Sequence, residues 1–76
     1  MDEADILKRL GNNIRRQRRV IGLTQEQLAL VAGVDRSYFG AVERGERNVT
    51  FTVLCRLSLA LQCDVAKLTD KLPPPT

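Results

Sequence analysis

The sequence predicts an all-α fold, a compact domain of five short helices. Apolar residues recur at helical spacing, most clearly Leu7, Leu10, Ile14 and Ile21 in the first segment. The alternating apolar and polar runs that indicate β-hairpins are missing from the sequence. A third observation is a start signal at four later positions: a Thr or Asp cap with an apolar residue just before it and another four residues after it.

These signals predict helices near residues 5–20, 25–32, 36–44, 51–61 and 65–70. The caps of the last four are Thr24, Asp35, Thr50 and Asp64, and Gln27 completes a capping box with Thr24. Gly22 is expected to end the first helix. Gly11 lies inside that helix and indicates either a close packing contact or a later helix start.

The length of 76 residues predicts one domain, which we place at residues 1–72. The prolines that begin at Pro73 predict a disordered tail over 73–76, with a proline-motif ligand as the alternative. The sequence contains neither a run of about 20 apolar residues nor a segment resembling a signal peptide. A cytoplasmic protein without membrane contact is therefore expected.

The charge of the chain is unevenly distributed. Lys and Arg number 12 against 9 Asp and Glu, which gives a net charge of +3. Residues 8–19 contain six basic side chains and no acidic one. Such a surface suits a polyanionic partner, although a solvated helix face would look the same.

Metal, cofactor and enzyme functions find little support in the sequence. The chain has no histidine, and Cys55 and Cys63 do not form a zinc-ligand pair. Both cysteines stand at apolar positions, so we interpret them as reduced core residues. The chain has no nucleotide-binding loop and no nucleophile elbow. We expect no enzyme activity, no cofactor, no metal and no small-molecule ligand.

Residues 24–43 have the pattern of a helix-turn-helix, whose second helix enters the major groove of DNA. Gly33 suits the left-handed conformation of a tight turn. Ala29 and Ala32 are small enough for the two helices to approach. The expected apolar cluster between the helices consists of Leu28, Val34, Phe39 and Val42.

This pattern resembles the lambda-repressor/Cro-like (XRE) helix-turn-helix family over roughly residues 6–70. The residues that carry the resemblance are Gly22-Leu23-Thr24-Gln25, Leu28-Ala29, Ala32-Gly33-Val34 and Glu43-Arg44-Gly45. The stretch DRSYFGAVERGERN is most similar to the controller proteins of restriction–modification systems. The resemblance implies a lambda-repressor-like domain and a homodimer that binds double-stranded operator DNA to regulate its own operon.

The resemblance also implies roles for individual residues. The expected base contacts are Arg36, Ser37 and Tyr38, and the expected phosphate contacts are Thr24, Gln25, Arg44, Arg47 and Asn48. The side-chain chemistry fits both roles. Arg18 and Glu43 are expected to form a structural ion pair. For the expected DNA contacts, the alternative role is core packing for Tyr38 and an ordinary solvated surface position for the other residues.

The sequence departs from the expected pattern in two respects. Gln62 stands where the family usually has a helix-ending glycine, which predicts a strained or longer fourth helix. The small core cannot bury all of the apolar residues Leu30, Val53, Leu59 and Val65, so we expect some of them to form a dimer seam from the fourth and fifth helices. A protein-interaction module, for example an antitoxin with secondary DNA binding, remains the alternative function.

Overall fold

In the computed structural model, residues 1–73 are described, and this part of the chain forms five helices and no strand. The helices are α1 (Glu3–Val20), α2 (Gln25–Ala32), α3 (Arg36–Glu43), α4 (Phe51–Ala60) and α5 (Val65–Leu68). The all-α prediction is confirmed. Of the predicted tail, Pro73 follows the last helix and the other residues lie outside the described range. No helix within residues 1–73 is long and apolar enough to cross a membrane.

Local side-chain chemistry explains where the helices begin. Thr24, Asp35, Thr50 and Asp64 cap α2 to α5 as predicted. In the capping box, the Thr24 hydroxyl accepts from the Gln27 backbone N–H at 3.1 Å, and the Thr24 N–H donates to the Gln27 amide oxygen at 2.9 Å. The cap of α1 is Asp2, so that helix starts two residues before the predicted position.

The core lies among all five helices. Its buried apolar side chains are Leu10, Ile14, Leu28, Ala29, Phe39, Val42, Leu54, Leu57, Ala60, Leu61 and Leu68. The apolar residues just before the four predicted caps are partly buried against this core: Leu23, Val34, Val49 and Cys63. Both cysteines are free and half-buried, but only Cys63 is among the residues packed on the core.

Two buried polar side chains of α1 bind the ends of the last two helices. The Asn13 amide donates to the carbonyl oxygens of Leu68 at 2.9 Å and Asp70 at 3.2 Å. The Gln17 amide donates to the Leu61 carbonyl at 3.0 Å. These bonds satisfy carbonyl groups that a helix end leaves without partners. They help to explain why α5 ends at Leu68, two residues before the predicted end.

Gly11 marks a close packing contact, the first of the two readings that its position allowed. An added Cβ atom there would lie 2.4 Å from the carbonyl oxygen of Glu43 and 2.7 Å from that of Val42. The helix continues through Gly11 without interruption. Glycine at this position therefore lets α1 lie directly against the end of α3.

Gln62 ends α4 in the left-handed conformation that glycine usually provides. Its φ is 61°, and the N–H groups of Gln62 and Cys63 donate to the carbonyls of Leu59 and Ser58. This pattern matches the glycine-terminated end of α1, where Gly22 has a φ of 76°. The expectation of strain is met, because a side chain in this region costs about 1–2 kcal/mol. The alternative of a longer helix is wrong, since α4 ends at Ala60.

We expect Gly11→Ala to lower the free energy of unfolding by about 1–3 kcal/mol, because the new methyl group would overlap backbone atoms of α3. Urea denaturation followed by circular dichroism measures the change. Asn12→Ala is the matched control, since Asn12 is exposed on the same helix and tolerates a good helix former. A Gly11→Ala variant as stable as the wild type would contradict the packing explanation.

Candidate nucleic-acid interface

A buried carboxylate at the end of α3 ties three helices together. Arg18 of α1 donates to Glu43 through Nε at 2.6 Å and through Nη2 at 3.1 Å. Gln25, the first residue of α2, donates to Glu43 Oε1 at 2.9 Å. Arg15 adds a longer contact of 3.4 Å to the same oxygen. The Glu43 side chain is fully buried and Arg18 retains 12% exposure, so the predicted partners form an ion pair inside the protein.

The surroundings of Glu43 favour its charged form. Burial alone would raise the pKa of this carboxyl. The hydrogen bonds from Arg18, Gln25 and Arg15, together with the positive charge of Arg18, outweigh burial and hold the pKa below the ordinary value. Arg18 also donates to the Leu23 carbonyl at 2.8 Å, in the link between α1 and α2. The network therefore fixes α3 relative to α1 and to the start of α2.

The first turn of α3 presents the three predicted base-contacting residues. Arg36 and Ser37 are exposed, and Tyr38 is half-buried against the core. In the described part of the chain, the side chains of Arg36 and Ser37 make no hydrogen bond to protein atoms. Asp35 caps this turn by accepting from the Tyr38 backbone N–H at 3.0 Å. The turn thus has a fixed backbone and two solvated polar side chains.

The start of α2 lies beside the middle of α3. Gly40 of α3 is buried, and an added Cβ atom there would lie 3.5 Å from the Gln25 amide oxygen and 3.2 Å from Arg44 Nη1. Gln25 and Arg44, two predicted phosphate-contacting residues, therefore come together over Gly40. Thr24 is exposed directly before Gln25. These two side chains cover Gly40.

The segment between α3 and α4 carries two further basic residues, Arg44 and Arg47. Gly45 has a φ of 77°, and an added Cβ atom would lie 2.8 Å from the Lys8 Cα atom. Arg47 lies over the Tyr38 ring, with its guanidinium carbon 5.1 Å from the ring centre. The Asn48 amide donates to the Glu3 carboxylate at 3.4 Å. An exposed ion pair of 3.1 Å joins Arg44 to Glu46.

Sequence reasoning missed two members of the Glu43 network. Arg15 precedes Arg18 by three residues, a spacing that places both on one face of α1. This spacing was the available signal for Arg15. Gln25 was assigned only to phosphate, whereas its amide nitrogen also donates to Glu43. One amide hydrogen remains for an external acceptor.

Metal chemistry has no evident place in the described residues. Within residues 1–73, no group of three or more Cys, Asp and Glu side chains could hold a metal ion. Each buried side-chain nitrogen or oxygen in that range has a hydrogen-bond partner.

The model of the helix-turn-helix family designated HTH_3 matches residues 14–68, which is most of the chain. The chain belongs to this helix-turn-helix family. It is a DNA-binding transcriptional regulator, and the predicted XRE-like resemblance is confirmed. Among its relatives is the control protein C.SmaI of Serratia marcescens, 48% identical over 67 residues, with 88% of this chain and 80% of the relative covered.

Solved structures of controller proteins have the same fold as this helix-turn-helix regulator. The restriction–modification controller C.AhdI of Aeromonas hydrophila is 44% identical, with a TM-score of 0.80 over 82% of this chain and 94% of that one. A tetramer of the controller C.Esp1396I with its natural 35 base-pair operator is 30% identical, with a TM-score of 0.79 over 88% of each chain.

The buried state of Glu43 predicts how stability depends on pH. Because the folded-state pKa is below the ordinary value of 4.5, the contribution of Glu43 is present above that value and is lost as pH falls through the folded pKa. Glu43→Gln should therefore lose less stability than the wild type between neutral pH and about pH 3. Urea denaturation across this range measures the difference.

The matched control for Glu43→Gln is Glu46→Gln, because Glu46 belongs to an exposed ion pair. Its pH profile should follow that of the wild type. At neutral pH the Glu43→Ala variant should be less stable by about 3–5 kcal/mol, since Arg18 loses its buried partner. Identical acid profiles for the wild type and Glu43→Gln would contradict the assignment.

Proposed function

We propose that this protein is a homodimeric, sequence-specific regulator that reads a pseudo-palindromic operator with α3, in the manner of a restriction–modification controller. The arrangement of α3 is the main support. Its first turn is exposed at Arg36 and Ser37, while Glu43 at its other end is locked to two neighbouring helices. A rigid helix with free polar side chains at its N-terminal end suits the major groove.

Base reading belongs to the first turn of α3 in this proposal. Arg36 binds a guanine edge with two hydrogen bonds, a contact that discriminates against other bases by about 1–3 kcal/mol. Ser37 donates or accepts one further bond, and Tyr38 contacts a base with its hydroxyl group. The exposure of Arg36 and Ser37 supports this role, because nothing in the described part of the chain has to be displaced.

Phosphate binding belongs to the residues that flank this turn on both sides. They are Thr24 and Gln25 at the start of α2, and Arg44, Arg47 and Asn48 in the loop after α3. Side-chain amides, hydroxyls and guanidinium groups all donate to phosphate oxygens, and such contacts set the register of a protein on DNA. The positions of Gln25 and Arg44, which come together over Gly40, support a common phosphate-binding edge.

A second copy of the chain is the proposed occupant of an apolar stripe on α4. Phe51, Cys55 and Leu59 recur at intervals of four along one helix face, and the two largest are 69% and 81% exposed. Of the residues expected at a seam, Leu59 lies in this stripe, while Val53 and Val65 are partly buried in the core of the same chain. A twofold dimer places two recognition helices about 34 Å apart, one turn of B-DNA.

The proposed role in the cell follows from the controller relatives. A controller of this type regulates its own operon together with the endonuclease gene, and we place it in the cytoplasm with its operator. Its concentration is then the regulatory signal, and the proposal needs neither a cofactor nor a small-molecule ligand. Catalysis has no part in this function.

Exposed apolar residues on α2 support one other function. Leu30 and Val31 are 82% and 65% exposed, and they lie near the end of α2 away from its DNA-facing start. A protein partner that covers this pair would make the molecule an antitoxin-like interaction module with secondary DNA binding. Such a partner would bind independently of DNA sequence.

Selection of random duplex DNA by the purified protein, followed by sequencing, tests the proposed function. We expect one motif with two inverted halves about one helical turn apart. Binding of the motif should weaken steeply with salt, since phosphate contacts release counterions. Weak, salt-sensitive binding without any motif would refute the proposal and favour the protein-partner function.

Two substitutions that introduce a charge test whether the α4 stripe is the dimer interface. Leu59→Lys should produce a monomer in analytical ultracentrifugation and should bind the full site more weakly. Leu30→Lys is the matched control, because Leu30 is equally exposed but lies on α2. A Leu59→Lys variant that remains dimeric would place the seam elsewhere.

Two arginines should respond differently to truncation. Arg36→Ala should weaken binding to the selected site and relax the preference at one base position, because a bidentate base contact is lost. Arg47→Ala should weaken binding to all sequences about equally and flatten the salt dependence. Fluorescence anisotropy on the selected site and on random DNA measures both. Equal losses on the two DNAs for Arg36→Ala would remove it from base reading.

A further inference from the structure

The contact between Tyr38 and Arg47 joins the recognition helix to the loop that follows it. Tyr38 lies in the first turn of α3, and Arg47 lies in the loop between α3 and α4. The guanidinium carbon is 5.1 Å from the centre of the Tyr38 ring, within the range of a cation–π interaction. The base-reading turn and the phosphate-binding loop are thus in direct side-chain contact.

Both ends of this contact are fixed by the fold. The Tyr38 ring is half-buried against the core, and its backbone N–H is held by Asp35. The loop is anchored where Gly45 lies on Lys8, at a distance that leaves no room for a Cβ atom. The Arg47 side chain itself is exposed, and it lies over the Tyr38 ring.

We propose that Tyr38 is a positioning residue for Arg47 in DNA binding. The ring holds the guanidinium beside the first turn of α3, so that Arg47 neutralises the phosphate next to the bases that this turn reads. The inference rests on the proposed function and adds a coupling between two residues that the function alone treats as independent. It gives Tyr38, which is uncharged, a part in the salt dependence of binding.

A cation–π contact at an exposed site has a strength that predicts the size of the effect. Such contacts are worth about 0.5–1 kcal/mol, which is the most that the positioning of Arg47 can contribute to binding. Loss of the ring should therefore weaken binding to random-sequence DNA by up to about two- to fivefold. Random DNA isolates the effect, because a base contact by the Tyr38 hydroxyl contributes mainly to the specific site. Loss of one phosphate contact lowers the slope of log affinity against log salt by about 0.9.

The test is a double-mutant cycle of Tyr38→Leu and Arg47→Ala, measured by anisotropy on random DNA at several salt concentrations. Arg47→Ala should lower the slope, and Tyr38→Leu should lower it in the same direction although it removes no charge. In the Arg47→Ala background, Tyr38→Leu should have no further effect. Tyr38→Phe is the comparison variant that keeps the ring. It should retain the wild-type salt slope and the coupling to Arg47→Ala, whatever affinity the hydroxyl group contributes.

A second measurement on the free wild-type protein does not depend on the stability of any variant. The Tyr38 ring current should shift the side-chain proton resonances of Arg47 upfield from their random-coil positions. The inference is overturned by an unshifted Arg47 side chain, by additive losses in the cycle, or by equal losses of salt slope for Tyr38→Phe and Tyr38→Leu. A wild type without DNA affinity would refute the proposed function and this inference together, whereas additive losses beside intact wild-type binding would refute the inference alone.

Discussion

The Glu43 carboxylate is the point at which α1, α2 and α3 meet. It is buried, and it accepts hydrogen bonds from Arg18 on α1 and from Gln25 on α2. Taking a charge out of water is costly, and these donors offset the cost well enough to keep the pKa of the carboxyl below its ordinary value. Apolar residues of the same volume often stabilise a fold as well as a buried pair does. The distinct contribution of this pair is therefore geometric: it admits one orientation of α3 against α1 and α2.

The long helix α1 also positions the ends of other helices through specific contacts. Its buried face is not wholly apolar, since Asn13 and Gln17 donate to the carbonyl ends of α5 and α4. Gly11 on the same helix allows backbone contact with the end of α3. Asn13 and Gln17 each fix a helix terminus by a hydrogen bond with a defined direction, which an apolar side chain does not provide. A chain of this size buries a small core, so such directional contacts carry much of the specification of the fold.

A structural feature could be predicted from the sequence when the residues that form it are close together along the chain. The starts of α2 to α5 were predicted to the residue because an N-cap acts on a backbone group three residues away. The Arg18–Glu43 pair came from the family resemblance and not from spacing. The end of α5 was placed two residues too late, because Asn13 lies 55 residues from the carbonyl that it binds. The contact of Gln25 with Glu43 and the covered position of Gly40 were equally non-local, and no local pattern predicts them.

The covered position of Gly40 limits how DNA can be read under the proposed function. An added Cβ atom there would lie 3.2 Å from Arg44 Nη1 and 3.5 Å from the Gln25 amide oxygen, so a larger residue would share this space with both side chains. Glycine itself offers no side chain for base contacts, and under the proposed function direct readout is concentrated in the first turn at Arg36, Ser37 and Tyr38. One bidentate contact discriminates by about 1–3 kcal/mol, which is too little to select one operator among the many sites of a genome. Selectivity must therefore come from doubling the contacts in a dimer and from sequence-dependent DNA shape. Both depend on a fixed spacing and orientation of the recognition helices, and the Glu43 network provides the orientation within each protomer.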